Sequence, residues 1–458
     1  MLPTIILHGW SDNSSSFQGL AEWLEKEHGL PAVNIFLGDY LSMNDEVTLF
    51  DLGYAFDRAL QKSKISQEHH SFNVIVHSTG GLVVREYLRQ KCLDPQTGRR
   101  NAKCTPIQHL CMLAPANFGS PLATLGKSIL GRVFKGWKWS GFGESGQQVL
   151  DALELASPYS FDLAVDDLFD PEFPIFDPQN TLTTVMVGTT AYPGALKSTM
   201  HENGGDGTVR VATANLQASY FKVDFKDADK IPDFVEVRRN VNELALAVFH
   251  RNHGTITQPD EQTQHSEWEN TLVSALTIAP SDYPQHLQNC QRLTDQTFAE
   301  GIKGANPEWY HRYQHVVFRV RDQHGAPIDD FMIEFYQEPR DPDDHVFKEI
   351  NTKILEKVTK NQRAANHRSF FFDLTDLDDY LNGSDKPIVE MSISAAHISR
   401  RIRFRNPTRG IEIFRAGQTS FIRRDQPILV DITLHRDPDT ESTDPGVNVF
   451  RLTPSNKT

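Results

Sequence analysis

Residues 71–87 read Ser71-Phe-Asn-Val-Ile-Val-His-Ser-Thr-Gly-Gly-Leu-Val-Val-Arg-Glu-Tyr87. Val74, Ile75 and Val76 form a short β-branched run, which predicts a buried strand. Leu82 to Arg89 predicts a helix. His77, Ser78, Thr79, Gly80 and Gly81 lie between them. A serine at a sharp strand-to-helix turn is a nucleophile elbow: the turn strains the serine backbone and lifts its hydroxyl above the sheet edge. Gly80 and Gly81 suit a helix that must start close to the strand, where a Cβ would obstruct. The helix N-terminus behind Ser78 favours developing negative charge. Val76 occupies the place of the first glycine in the usual Gly-x-Ser-x-Gly pattern. The competing reading is an ordinary strand–turn–helix with a capping serine.

The chain on either side supplies partners for such a serine. Upstream, Thr4-Ile-Ile-Leu7 predicts a buried strand running into His8-Gly9-Trp10-Ser11-Asp12. In serine hydrolases the loop after this strand gives one backbone N–H of the oxyanion hole, and the residue after the nucleophile gives the other. The expected donors are therefore the amides of Trp10 and Thr79, with Gly9 free to turn its backbone inward. Downstream, a strand at Thr183–Val187 leads into His201-Glu-Asn-Gly-Gly-Asp-Gly-Thr-Val209, where Asp206 can project from a tight turn. Phe249-His-Arg-Asn-His-Gly-Thr-Ile256 follows, and His253 is the candidate general base. The rivals are His250 and His201 for the base, and Asp39 or Asp224 for the acid. The order Ser78, Asp206, His253 is that of the α/β-hydrolases. The expected roles are nucleophile for Ser78, base for His253, and orienter of its imidazole for Asp206. Helices at Phe17–Glu27 and Leu52–Lys62 and strands at Val33–Phe36 and His109–Leu113 complete an α/β unit with a mostly parallel sheet.

Between the elbow and the acid lies a different pattern. Leu125, Ile129, Leu130, Val133, Phe134 and Trp137 recur at helical spacing, interleaved with Lys127, Arg132, Lys135 and Lys138. A basic amphipathic helix with Trp at one end suits an anionic membrane surface, or it packs on its own core. Ile129, Val133, Phe134 and Trp137 are the candidate lid residues, with a hinge at Gly141–Gly146 and further cap helix over Asp151–Phe169.

The last third of the chain changes character. Segments at 315–320, 331–336, 369–374, 388–393, 402–404, 411–414 and 428–434 predict strands without intervening helices, and several of them alternate apolar and polar residues. That spacing suggests an antiparallel sandwich. Leu355–Gln362 reads as one helical insertion. Eight arginines fall between Arg400 and Arg424. They suit anionic head groups, an acidic surface of another subunit, or a solvated face balanced by nearby acids. The predicted organisation is a catalytic domain over 1–300 with a lid or cap around 120–175, then a β-rich domain over 310–458 with a flexible tail.

Composition narrows the class. A length of 458 residues calls for two domains. A net charge of −14 argues against general nucleic-acid binding. The four cysteines have no metal-ligand spacing and are too few for a disulfide framework. Met1 leads almost at once into a strand, so no signal peptide is expected, and no apolar run is long enough to cross a bilayer. Membrane contact is then expected to be peripheral.

The motifs Val-His-Ser78-Thr-Gly-Gly, Gly-Asp206-Gly-Thr-Val and Asn-His253-Gly-Thr-Ile, with a β-rich C-terminal domain of this size, resemble the PlaB-type bacterial phospholipases A. The resemblance implies hydrolysis of acyl esters of phospholipids and lysophospholipids by a lipase-like domain. It also implies peripheral membrane association and homo-oligomers. The implied location is bacterial, at the outer membrane or cell surface without a cleaved leader, with the cytoplasm as the alternative. No metal or organic cofactor is needed for that chemistry. The rivals are a neutral-lipid lipase or soluble carboxylesterase with the same mechanism, and a non-catalytic interaction protein.

Overall fold

A computed structural model describes residues 1–9, 14–35, 45–124, 146–194, 201–230, 232–239, 243–260, 266–336, 345–382, 388–396, 402–415 and 421–438. The strands in chain order begin with β1 (Thr4–Leu7), β2 (Ala32–Ile35), β3 (Phe72–His77), β4 (Ile107–Leu113) and β5 (Leu182–Gly188). They continue with β6 (Ser219–Phe225), β7 (Asp233–Arg239) and β8 (Ala245–Phe249). The last group is β9 (Tyr313–Arg321), β10 (Phe331–Tyr336), β11 (Leu355–Lys360), β12 (His367–Asp373), β13 (Ile388–Ala395), β14 (Ile402–Phe404), β15 (Ile411–Arg415), β16 (Pro427–Leu434) and β17 (Arg436–Pro438).

The first sheet has six strands in the order β2-β1-β3-β4-β5-β8, and every pairing is parallel. Strands β1, β3 and β5 are buried along their whole length, which is why they read as largely apolar runs. Helices α1 (Ser14–His28), α2 (Leu49–Lys62) and α3 (Gly80–Lys91) lie among its connections. A capping box starts α2: the Thr48 hydroxyl accepts from the Asp51 amide, and the Asp51 carboxylate accepts from the Thr48 amide. This is the α/β-hydrolase arrangement the motif order predicts.

The second sheet has the order β11-β12-β9-β16-β6-β7. The β11/β12, β12/β9 and β6/β7 pairs are antiparallel, whereas β16 runs parallel to both β9 and β6. The expected sandwich is present, and the parallel pairings of β16 make one of its sheets mixed. The opposing sheet, β10-β13-β15, is antiparallel throughout. Period-two alternation explains how the mixed sheet is buried on both faces. Ile428, Val430, Ile432 and Leu434 of β16 face the sandwich core with Phe318, Phe335 and Met391. Leu429, Val317 and Tyr220 point the other way, into the core of the first unit.

One correction follows. Leu355–Lys360 is strand β11, not a helix; the helical turns precede it, at His345–Glu349 and Ile350–Ile354. Val358 is exposed and its neighbours alternate in burial, the mark of an edge strand that a helical reading misses. Strands β6 and β7 lie before residue 300 yet belong to the second sheet, so the two halves share a sheet across the boundary that composition suggests. The cap stretch at 151–169 is two helices, Gln147–Leu153 and Pro158–Asp167, broken at Ala156, whose φ is +56°. Phe161, Leu163 and Ala164 of the second helix are buried in the main core. The lid residues Ile129, Val133, Phe134 and Trp137, most of the hinge, and the chain after Pro438 lie outside the described residues. Among the described residues no helix is long and apolar enough to cross a membrane.

Candidate active site

The elbow forms at the end of β3. Ser78 has φ +54°, a left-handed conformation that costs a non-glycine residue about 1–3 kcal/mol. Three backbone hydrogen bonds hold it there. The Ser78 amide donates to the Leu113 carbonyl at 3.1 Å, and the Ser78 carbonyl accepts from Gly81 at 3.1 Å and Ala116 at 3.2 Å. A Cβ on Gly80 would sit 3.0 Å from the Leu7 carbonyl, and one on Gly81 would sit 2.9 Å from the Pro115 Cβ. These contacts are why α3 can start so close to its strand. The larger Val76 in place of glycine is tolerated, 3.4 Å from where a Gly80 Cβ would be.

The loop after β1 closes on the same spot. A Cβ on Gly9 would lie 2.8 Å from the Ser78 Cβ and 3.3 Å from the Thr79 amide nitrogen. Gly9 therefore lets the backbone after β1 meet the elbow backbone beside Ser78. Thr79 is buried at the N-cap of α3. Trp10, the other expected donor, lies outside the described residues.

Asp206 sits at the tip of a small hairpin whose base is the Gly205/Arg210 bridge. Its Oδ1 accepts from the Thr208 and Val209 amides at 2.9 and 2.8 Å, so the carboxylate is fixed by its own turn. Its Oδ2 accepts from His253 Nδ1 at 2.8 Å. The backbones are tied as well: the His253 amide donates to the Asp206 carbonyl at 3.0 Å. Both side chains are buried. With Nδ1 protonated toward Asp206, His253 presents Nε2 as a base. The turn after His253 is built by Asn252, whose Oδ1 accepts from the Gly254 and Thr255 amides at 3.0 Å. A Cβ on Gly188, at the end of β5, would overlap the Arg251 carbonyl, so glycine there lets the histidine loop approach.

His77 joins the elbow to the histidine loop, and sequence reasoning missed it. Its Nε2–H donates to the His253 carbonyl at 3.0 Å, and the two rings are 4.5 Å apart. Burial, then the nearby His253, hold His77 well below the ordinary histidine value, so it is neutral. A charged imidazole here would oppose the imidazolium that forms on His253 during turnover. The one sequence signal was a histidine next to the candidate nucleophile.

The rivals are placed elsewhere. His250 bonds the Tyr310 hydroxyl at 3.0 Å and faces Glu300. His201 packs at a tilt against Trp309, with ring centroids 4.6 Å apart. Asp224 pairs with His435 at 2.8 Å, and Asp39 lies outside the described residues. Of the arginine cluster, Arg405 pairs with Asp437 and Arg424 with Asp378, which favours the balanced-face reading for those two. Among the described residues one cation-competent group appears, His311 with Asp373 and Asp376. Its contacts are those of an ion pair and a helix start: His311 Nδ1 lies 2.7 Å from Asp373 Oδ2, and Asp373 Oδ1 accepts from the Thr375 and Asp376 amides.

Buried histidines set how the fold responds to acid. Burial lowers His201, His286 and His367 to about 4 and His315 to about 3, and lowers His77 also. Each binds protons more readily unfolded than folded. The stability they confer is whole above about pH 6.5 and is lost as the pH falls from there toward 3–4. His311 runs the other way, raised first by its hydrogen bond to Asp373; its contribution is whole below about pH 6.5 and fades above it. The depressed group is larger, so the calorimetric Tm is expected to fall steadily from pH 7 to pH 4. A flat Tm over that range would contradict the burial of these rings.

No protein-family model matches the chain, and no curated protein matches it. Solved structures do. Phospholipase PlaB from Legionella pneumophila superposes with a TM-score of 0.80 at 24% identity, over 100% of this chain and 97% of that one. The same protein in complex with thio-NAD superposes at 0.79, also at 24% identity and with the same coverage. Over its whole length the chain therefore has the fold of that phospholipase.

Proposed function

We propose that the protein is a serine hydrolase that cleaves acyl esters of phospholipids and lysophospholipids. The observation that supports this most directly is the buried His253–Asp206 pair, linked through His77 to a strained elbow serine. The fold, common along its full length with phospholipase PlaB, adds to it. His253 Nε2 takes the Ser78 proton as Oγ attacks the ester carbonyl. The tetrahedral oxyanion is received by the Thr79 and Trp10 amides. His253 then protonates the leaving lysophospholipid or glycerol alcohol, leaving an acyl group on Ser78. Water, deprotonated by His253, attacks that ester, and fatty acid leaves as Ser78 regains its proton. Asp206 keeps the His253 tautomer and stabilises its charged form throughout. None of these steps needs a metal or organic cofactor.

We also infer a peripheral, self-associating enzyme whose 125–139 segment meets the lipid surface through Ile129, Val133, Phe134 and Trp137. Thin-layer analysis of products from defined phospholipids tests the substrate class. Free fatty acid and lysophospholipid are expected from the native chain and neither from Ser78→Ala. Turnover of short soluble esters with none on phospholipid vesicles would move the assignment to a carboxylesterase. Phe134→Glu or Trp137→Glu is expected to weaken binding to anionic vesicles several-fold while sparing soluble-ester turnover. Unchanged vesicle sedimentation would remove the lid from the account.

A further inference from the structure

The hairpin that carries Asp206 is fastened at its base by Arg210, and the fastening comes mostly from the C-terminal sheet. The Asp206 amide donates to the Val209 carbonyl at 3.0 Å, which closes the turn directly before Arg210. The Arg210 carbonyl accepts from Thr213 and Ala214 and starts the short helix at Val211–Ala214. Its side chain is only 2% exposed. Nε donates to Glu202 Oε2 at 2.9 Å, while Nη1 and Nη2 donate to the two oxygens of Glu356 at 2.8 and 3.2 Å. The guanidinium carbon lies 4.8 Å from the centre of the Tyr313 ring and 4.4 Å from that of Phe371. Glu356, Tyr313 and Phe371 belong to β11, β9 and β12, three adjacent strands of the mixed sheet. Lys357 of β11 bonds Glu202 as well. Burial alone would lower Arg210, and Glu202 with Glu356 more than reverses that, so the group is held charged.

A planar guanidinium gripped by a bidentate carboxylate and two rings has one position relative to them. The same residue anchors a rigid hairpin whose tip must meet His253 Nδ1 at hydrogen-bond range. We infer that Arg210 is a positioning residue through which the C-terminal sheet fixes Asp206 against His253. The second domain is then a working part of the active site, not only an attachment. This rests on the reading of Asp206 and His253 as acid and base of an esterase.

The test uses the full chain and a soluble p-nitrophenyl ester, so that membrane binding plays no part. Arg210→Met is expected to lower kcat about 100-fold, the scale of a ~1 Å misplacement, with KM little changed. Glu356→Gln is expected to lower kcat about tenfold. Arg210→Lys, which keeps the charge and loses the fork, should fall between Arg210→Met and the native chain. The low-field proton resonance of the His253–Asp206 bond, assigned by its loss in Asp206→Asn, should shift or broaden in Arg210→Met and Glu356→Gln. Arg319→Met is the control. It removes another arginine held between the two halves, on Asp431 and the Phe161 ring, and leaves the hairpin untouched. It should lower Tm and keep native kcat. If Arg210→Met and Arg319→Met lower Tm alike while kcat and the resonance stay native, Arg210 is a structural tie and the inference is overturned. Should Arg210→Met not fold, native kcat and resonance in Glu356→Gln overturn it equally. Native turnover that survives Ser78→Ala would instead sink the reading of Ser78, His253 and Asp206 as the catalytic set, and the resonance would still decide the role of Arg210.

Discussion

Ser78→Ala is expected to reduce soluble-ester turnover by about 10⁴- to 10⁶-fold, with Asp206→Asn close behind at about 10⁴-fold. The first change removes the attacking oxygen. The second keeps the shape of the side chain and turns an acceptor of the His253 Nδ1–H into a group that can present a donor there, which favours the wrong tautomer. Neither should unfold the protein. Ser78 is held by backbone bonds to Leu113, Gly81 and Ala116, none of which uses its side chain. Asp206 Oδ1, which accepts the Thr208 and Val209 amides, has an oxygen counterpart in Asn. Both variants should therefore show native circular dichroism and a Tm within a few degrees of the parent. Retention of more than about one-hundredth of the native rate by Ser78→Ala would point to another nucleophile.

Asp167→Ala is expected to cost about 3–5 kcal/mol of stability, a large share of the 5–15 kcal/mol typical of a folded domain. Arg85 lies on α3, the helix behind the elbow, and is fully buried. Its Nε and Nη2 donate to Asp167 Oδ2 and Oδ1 at 2.8 and 2.9 Å, and Nη1 donates to the Asn117 carbonyl at 3.1 Å. Removing the carboxylate leaves a buried guanidinium without its counter-ion. The double variant Arg85→Met with Asp167→Leu should recover most of the loss, because an apolar pair of similar volume has no charge to desolvate. Urea denaturation of the three proteins checks this. A loss below about 1 kcal/mol in Asp167→Ala would mean that water reaches the site.

Much of the first sheet was legible because its strands are buried on both faces and its chemistry is punctuated by glycines. Val74–Val76, Gly80 and Gly81 announce the elbow. Gly-Asp206-Gly and His253-Gly mark the loops that the fold brings to hydrogen-bond distance. The second sheet was legible strand by strand and not in its pairing. Ser219–Phe225 alternates polar and apolar residues as clearly as any later strand, yet it sits between an acid loop and a histidine loop, where a β-domain strand is not expected. Leu355–Lys360 was misread because an edge strand with charged outward residues lacks an apolar run. Arg210 was invisible for another reason: apart from Glu202, its partners Glu356, Tyr313 and Phe371 lie more than 100 residues away, and no local pattern encodes them. His77 was in plain view and carried no periodic signal.

The placement of β16 has a consequence for biosynthesis. This strand enters between β9 and β6, so residues 427–434 pair with residues 219–225, which were made some two hundred positions earlier. Until the ribosome has released them, the flank of β6 has no neighbour, and a nascent polypeptide already holding Ser78, Asp206 and His253 remains unfinished. Such long-range closure slows folding and leaves an open strand edge exposed to other chains. It also means that the sheet beside the candidate site closes only after residues 427–434 have been made.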